Sequence, residues 1–274
     1  MMQNLSKAIF LAFCCLIVTS CTFRNRPLTG NDIELFKRTP VWELAKAVER
    51  QDVNSIKSFL NGHKDVDVNY QEPKLGFSLL IWAVYNNCYE ASECLLNHGA
   101  DPNLKSTYSG TSAILWAADY LETSKYLSLL LKYGADPNDV ALKERSYRVG
   151  TPLVAAASNR LESVKLLVES GADIDYVFYN RENAIKAAMV SEKSEIVYYL
   201  LVDCHAKFYE PPKYANNKPF IRWLRTWTFP LDSEDYKVKM KIVDFLAKQG
   251  YDYWATEIPA PVLKHYPEEY CDKY

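Results

Sequence analysis

Apolar residues along this 274-residue chain come in short runs at helical spacing, set in pairs and separated by turn signals. Residues 150–173, GTPLVAAASNRLESVKLLVESGAD, show the unit most plainly. Leu153, Ala156 and Ala157 mark one face of a first segment, and Val164, Leu167 and Val168 mark one face of a second. The i, i+3, i+4 spacing puts a dry stripe on one side of each helix and leaves the other side wet. Neither segment is long enough to hold as a helix by itself. The pattern therefore predicts helix pairs that need neighbours.

The chain supplies them. Gly99-Ala100-Asp101-Pro102-Asn103, Gly134-Ala135-Asp136-Pro137-Asn138 and Gly171-Ala172-Asp173-Ile174-Asp175 each follow an apolar helix end, with their glycines 35 and 37 residues apart. The openings match as well, with Trp82-Ala83-Val84, Trp116-Ala117-Ala118, Ala155-Ala156-Ala157 and Ala187-Ala188-Met189 at corresponding places. Thr151-Pro152-Leu153 is the fullest opening, and Ser78-Leu79-Leu80 and Asn183-Ala184-Ile185 are decayed forms of it. Thr111 and Thr151 are expected to cap the first helix, with Pro152 where no N–H is needed. Small residues such as Ala83, Ala117 and Ala156 let paired helices approach closely, and the glycine after the second helix takes the left-handed conformation that ends it. His205 stands where Gly171 does, a tolerable residue at positive φ but not the easy one. A period in the middle thirties with a Thr-Pro-Leu opening and a Gly-Ala-Asp exit resembles the ankyrin repeat. That resemblance implies an all-α ankyrin-repeat solenoid of about five to six repeats, closed by atypical terminal caps.

Taken in order, residues 1–20 read as a secretory signal: Lys7, an apolar run over 8–18, then Thr19 and Ser20. The run is short for a transmembrane helix. Val18-Thr19-Ser20-Cys21 resembles the lipobox of bacterial lipoproteins, which implies cleavage before Cys21 and lipidation of its thiol and new amino group, palmitate included. Several acyl chains on one residue make a stable anchor; an ordinary secretion signal with a chance cysteine is the alternative. Thr22 in place of aspartate argues, by the same resemblance, against retention in the inner membrane. The absence of an acidic cluster after Cys21 argues against surface export. The periplasmic face of an outer membrane is the expected location. Residues 21–38, with Arg24, Arg26, Pro27 and Gly30, read as a tether. The repeat domain is set at 39–252, with Thr39-Pro40-Val41 opening the first repeat and residues 219–230, with Trp223 and Trp227, forming a capping unit. The connection over 139–148 is expected to project as a finger. The tail, 253–274, holds Pro259, Pro261 and Pro267 and is expected to pack in extended form over the end.

Charge narrows the function. With 32 basic and 34 acidic residues and a formal net charge of −2, the chain is too neutral to hold nucleic acid by phosphate neutralisation. Outside the signal and Cys21, the cysteines are Cys88, Cys94, Cys204 and Cys271, in no metal-binding spacing. Cys94 falls on an apolar helix position and is expected buried. His98 precedes Gly99 at a turn and is read as structural. Asp101, Asp136 and Asp173 recur one per repeat, which turn hydrogen bonding explains better than a carboxylate cluster does. No glycine-rich phosphate loop, nucleophile elbow or HExxH is present. No catalytic residue, metal, cofactor or small-molecule substrate is therefore expected.

Binding has more behind it. The ankyrin resemblance implies recognition by the turn tips and the adjoining first helices, on the concave side. Those tips hold Tyr70, Tyr108, Tyr147, Tyr176, Phe178 and Tyr179, of a residue class that offers large contact area at low entropic cost. The competing view is that some of them tuck against a neighbouring tip. Trp82 and Trp116 hold core-like positions. The chain thus reads as a membrane-anchored envelope protein that binds another protein, as an inhibitor or immunity protein of an effector. The alternative is a scaffold or protective tether, and enzyme activity in the irregular C-terminal part is a remote third reading.

Overall fold

Five helix pairs follow one another, and most of the first helices open on a short polar side chain. The first helices are α1 (Trp42–Glu49), α3 (Leu79–Tyr85), α5 (Ala113–Tyr120), α7 (Pro152–Ala157) and α9 (Ala184–Val190). The second helices are α2 (Val53–Gly62), α4 (Tyr89–Asn97), α6 (Lys125–Lys132), α8 (Leu161–Glu169) and α10 (Ser194–Tyr198). The computed structural model describes residues 28–120, 123–141, 150–177, 183–208, 220–271 and 273. Ser78, Thr151 and Asn183 each accept from the backbone N–H three residues on, at 3.2, 3.4 and 2.9 Å, which satisfies one orphan donor of the helix start. In the third pair Ser112, not Thr111, stands immediately before α5, so the expected cap lies one residue too early. In the first pair, Thr39 instead donates its hydroxyl to the Phe36 carbonyl at 2.7 Å, and α1 starts only at Trp42.

First helices stack on first helices and second helices on second helices, in two layers. Ala83, Ala117 and Ala156 are buried where the layers meet. Gly99, Gly134 and Gly171 sit at φ +88, +84 and +91°, as a helix-ending glycine must. After each, an alanine N–H returns to the carbonyl five residues back, Ala100 to Leu95, Ala135 to Leu130 and Ala172 to Leu167, all at 3.0 Å. The fifth pair departs from this. His205 takes φ +57°, and Ala206 returns six residues, to Leu200. One extra residue is absorbed as a π-helical turn, Tyr199–Asp203, continuing α10. The first helix of the third pair is longer than that of the fourth, eight residues in α5 against six in α7.

Both ends differ from expectation. Residues 28–38 are not tether: Ile33–Phe36 form a 3₁₀ turn whose Ile33, Leu35 and Phe36 are buried against the first repeat. The rest of the expected tether, the signal and Cys21 lie outside the described residues. At the other end α11 (Phe220–Leu224) and α12 (Glu234–Ala247) form the closing unit, and α12 packs on α10. Its exit is regular: Gly250 has φ +91° and Tyr251 N–H returns to Leu246 at 3.1 Å. The tail is not extended. It folds as α13 (Ala260–His265) and α14 (Glu268–Cys271), because Pro259 and Pro261 sit at a helix start, where proline is tolerated. Tyr270 donates to the Phe229 carbonyl at 2.8 Å and Tyr236 to that of Lys273, so the tail is held to the closing unit. Among the described residues no helix is long and apolar enough to cross a membrane.

Candidate functional site

The first three connections between helix pairs are fastened to one another. In the first, Glu72 is buried and its carboxylate turns back on its own loop. It accepts from the N–H groups of Lys74 (2.7 Å), Leu75 (2.8 Å) and Phe77 (3.0 Å). Burial of a carboxylate costs heavily unless it is paired in this way. Gln71 bridges outward, donating to Gly76 O (2.7 Å) and to Lys105 O of the second connection (2.6 Å). Gly76 sits at φ +66°, and a Cβ there would lie 2.4 Å from the Thr107 nitrogen. Only glycine lets the two loops close to this distance. Tyr108 N–H then reaches Leu75 O at 3.3 Å. The second connection is fastened to the third by Lys105, which meets the Asp139 carboxylate at 2.6 Å and the Val140 carbonyl at 2.9 Å. Ser112 donates to the same carboxylate. Asp139 and Ala141 are buried, so the connection expected to project as a finger begins inside the fold. Residues 142–149 lie outside the described residues.

Below the loops, the exit turns form a ladder. Asn69, Asn103 and Asn138 each donate Nδ2 to the exit-glycine carbonyl of the next repeat, at 3.4, 2.9 and 3.0 Å. Each accepts on Oδ1 from the following Asp101, Asp136 or Asp173 N–H, at 2.8, 2.8 and 2.6 Å. The aspartates serve their own turns, accepting from Asn103, Asn138 and Asp175 N–H at 2.8, 2.8 and 3.0 Å. Turn bonding thus accounts for them.

Of the predicted tip residues, Tyr108 is 55% exposed at the crest of the second connection. Tyr176 is half-buried, beside the exposed Val177. Tyr70 is half-buried and packs against the core, the tucked alternative. Tyr147, Phe178 and Tyr179 lie outside the described residues. Trp82 is buried, and Trp116 is half-buried with its ring 4.7 Å from that of Tyr85. Gly30 packs against Tyr85 and Phe77, and its carbonyl accepts from Asn86 at 3.2 Å, so the N-terminal segment reaches the first-helix layer at the second repeat. Gln71, Glu72, Asp139 and Gly30 were not legible as organising residues: each acts across 30 residues or more, or on a local loop with no repeat partner. His98 ring nitrogen lies 2.7 Å from Cys94 O, a structural contact. Burial pushes the Cys88 and Cys94 thiols up from their ordinary range, which disfavours the thiolate. Cys88, Cys94, Cys204 and Cys271 are all free.

Comparison with known proteins agrees with this geometry. Residues 44–141 match the family of ankyrin repeats in three copies, and residues 153–201 the family of ankyrin repeats in many copies. Protein PhlB of Serratia liquefaciens is 30% identical over 174 residues, covering 62% of this chain and 72% of that protein. The chain belongs to the ankyrin-repeat family. Among other ankyrin-type relatives, the putative ankyrin repeat protein R600 of Acanthamoeba polyphaga mimivirus is 32% identical over 122 residues. The human 2-5A-dependent ribonuclease is 35% identical over 96 residues. These matches cover 39% and 34% of this chain, which spans only 34% and 13% of those two proteins. Ankyrin repeats imply a protein–protein interaction role.

Proposed function

We propose that this ankyrin solenoid holds a partner protein in the bacterial cell envelope, anchored by lipid on Cys21, and masks an effector as an inhibitor or immunity protein. The observation that carries the binding part is the Gln71–Lys105–Asp139 fastening, which holds Tyr108 at the crest before any partner arrives. Loops ordered in advance lose less entropy on association, so the same contact area yields tighter binding. A bacterial relative aligned over most of its length supports the bacterial setting. The location follows from the lipobox resemblance at residues 18–21 and the residue after it, Thr22.

Two measurements test it. Cys21→Ser should abolish lipid labelling and release the chain from membranes; continued sedimentation with membranes after a high-salt wash contradicts the anchor. Affinity capture from detergent-solubilised envelope should return one partner whose activity falls on addition of purified chain. A captured partner with undiminished activity replaces masking by the scaffold role.

A further inference from the structure

The N-terminal segment is docked on the stack, and that limits how far the stack can stand from Cys21. Leu28 is half-buried against the core, and Ile33, Leu35 and Phe36 are buried. Between them, Thr29 donates to the Asp32 carboxylate from its N–H at 2.8 Å and its hydroxyl at 2.9 Å, closing a turn. Gly30 rests on the first-helix layer, where its carbonyl accepts from Asn86 at 3.2 Å. A Cβ there would lie 2.9 Å from the Tyr85 ring and 3.2 Å from the Phe77 ring, so a larger residue would press the segment off this layer.

Docking shortens the reach. An extended chain advances at most ~3.6 Å per residue, so residues 21–38 as a free tether would span about 60 Å. Leu28 stands only seven residues after Cys21, which leaves about 25 Å. That is less than the roughly 30 Å width of a small domain. Arg24 and Arg26 lie in this stretch, and no acidic residue separates Cys21 from Asp32. Anionic lipid attracts such a stretch and draws the stack down. The crest is close to the docked segment. Phe77, which Gly30 touches, stands two residues after Leu75, whose carbonyl accepts the Tyr108 N–H at 3.3 Å.

Resting on the lipid anchor at Cys21, we propose that the first-helix face of repeats one and two, with the Tyr108 crest beside it, is held close to the bilayer and binds a protein seated on that same membrane. A partner on the lipid is within reach of the crest, whereas the space under the first repeats is too shallow for a free domain. The C-terminal cap, beyond the fifth repeat, is the far end of the stack.

Energy transfer tests this on the full lipidated chain, in vesicles of phosphatidylethanolamine and phosphatidylglycerol with an acceptor dye on some headgroups. The donor dye sits on Tyr108→Cys or on Leu263→Cys, positions of matched exposure at 55% and 56%, with Cys204→Ser in both. Transfer from position 108 should exceed that from position 263 by about twofold or more, because the reach of about 25 Å restrains only the N-terminal end. A spacer of about 20 Gly and Ser residues between Pro27 and Leu28 adds about 70 Å of full extension and should bring the two values together. Equal transfer from both positions, or transfer unmoved by the spacer, overturns the proposal and leaves the anchor standing. A chain that takes up no lipid fails the anchor, and the proposal with it. A captured partner found in the soluble contents of the envelope and absent from its membranes also overturns the proposal.

Discussion

The first three joints between repeats and the fourth are built from nearly the same spelling, and they differ by one atom type. At Asn69, Asn103 and Asn138 the side-chain amide both donates and accepts, so two bonds cross each joint. At the fourth joint the residue is Asp175. Its carboxylate accepts from Lys207 N–H at 2.8 Å and meets Lys207 Nζ at 3.3 Å, but it has no hydrogen to give to the exit carbonyl. The exposed ion pair is a weak replacement, because solvent screens it. The same repeat carries His205 in place of glycine and the π turn that absorbs an extra residue. Repeats one to four are therefore a uniformly cross-linked stack, and the fifth repeat with its cap is attached through a looser joint.

The contrast can be broken or sharpened by substitution. Leu167→Ala opens a cavity in the dry face of α8 and should cost about 2–5 kcal/mol in denaturant unfolding. Because the repeats couple to their neighbours, the loss should spread through the stack. Gly134→Val should cost roughly 1–2 kcal/mol or more, since a β-branched residue is forced to a φ of +84°. Open space surrounds the added carbon, so that cost is conformational and not steric. An unchanged midpoint would mean the turn tolerates the substitution. His205→Gly is the converse and should gain about 0.5–1 kcal/mol by removing the same strain. Asn138→Ala should cost about 1–2 kcal/mol for its two cross-joint bonds, whereas Asp175→Asn should gain about 0.5–1.5 kcal/mol by adding the missing donor. A gain at Asp175 to set against the loss at Asn138 would show that the missing donor distinguishes the joints; a loss on Asp175→Asn would show the Lys207 pair outweighs the absent bond.

Much of the fold was legible in the sequence because it is written in repeats. The glycine exits, the alanine contacts and the recurring aspartates follow from one unit read several times. The corrections fall where no copy exists for comparison. Ile33, Leu35 and Phe36 look like scattered apolar residues in a polar stretch, and only contact with the first repeat makes them core. Pro259 and Pro261 suggested extension, yet proline at a helix start is as well placed. The site was legible only in part. Tyr108 and Tyr70 share a residue type and a kind of loop, yet one is exposed and the other packs against the core, a difference no local spelling carries.

The central claim is that the crest binds and the stack merely holds it in place. Its most direct test is partner affinity and melting temperature measured together on Tyr108→Ala, Tyr176→Ala and Leu167→Ala. The tip variants should weaken binding by about 1–3 kcal/mol with little change in melting, while Leu167→Ala should lose binding only in step with its loss of folding. Normal binding by both tip variants, with binding abolished on deletion of residues 253–274, would move the site to the tail and contradict the account.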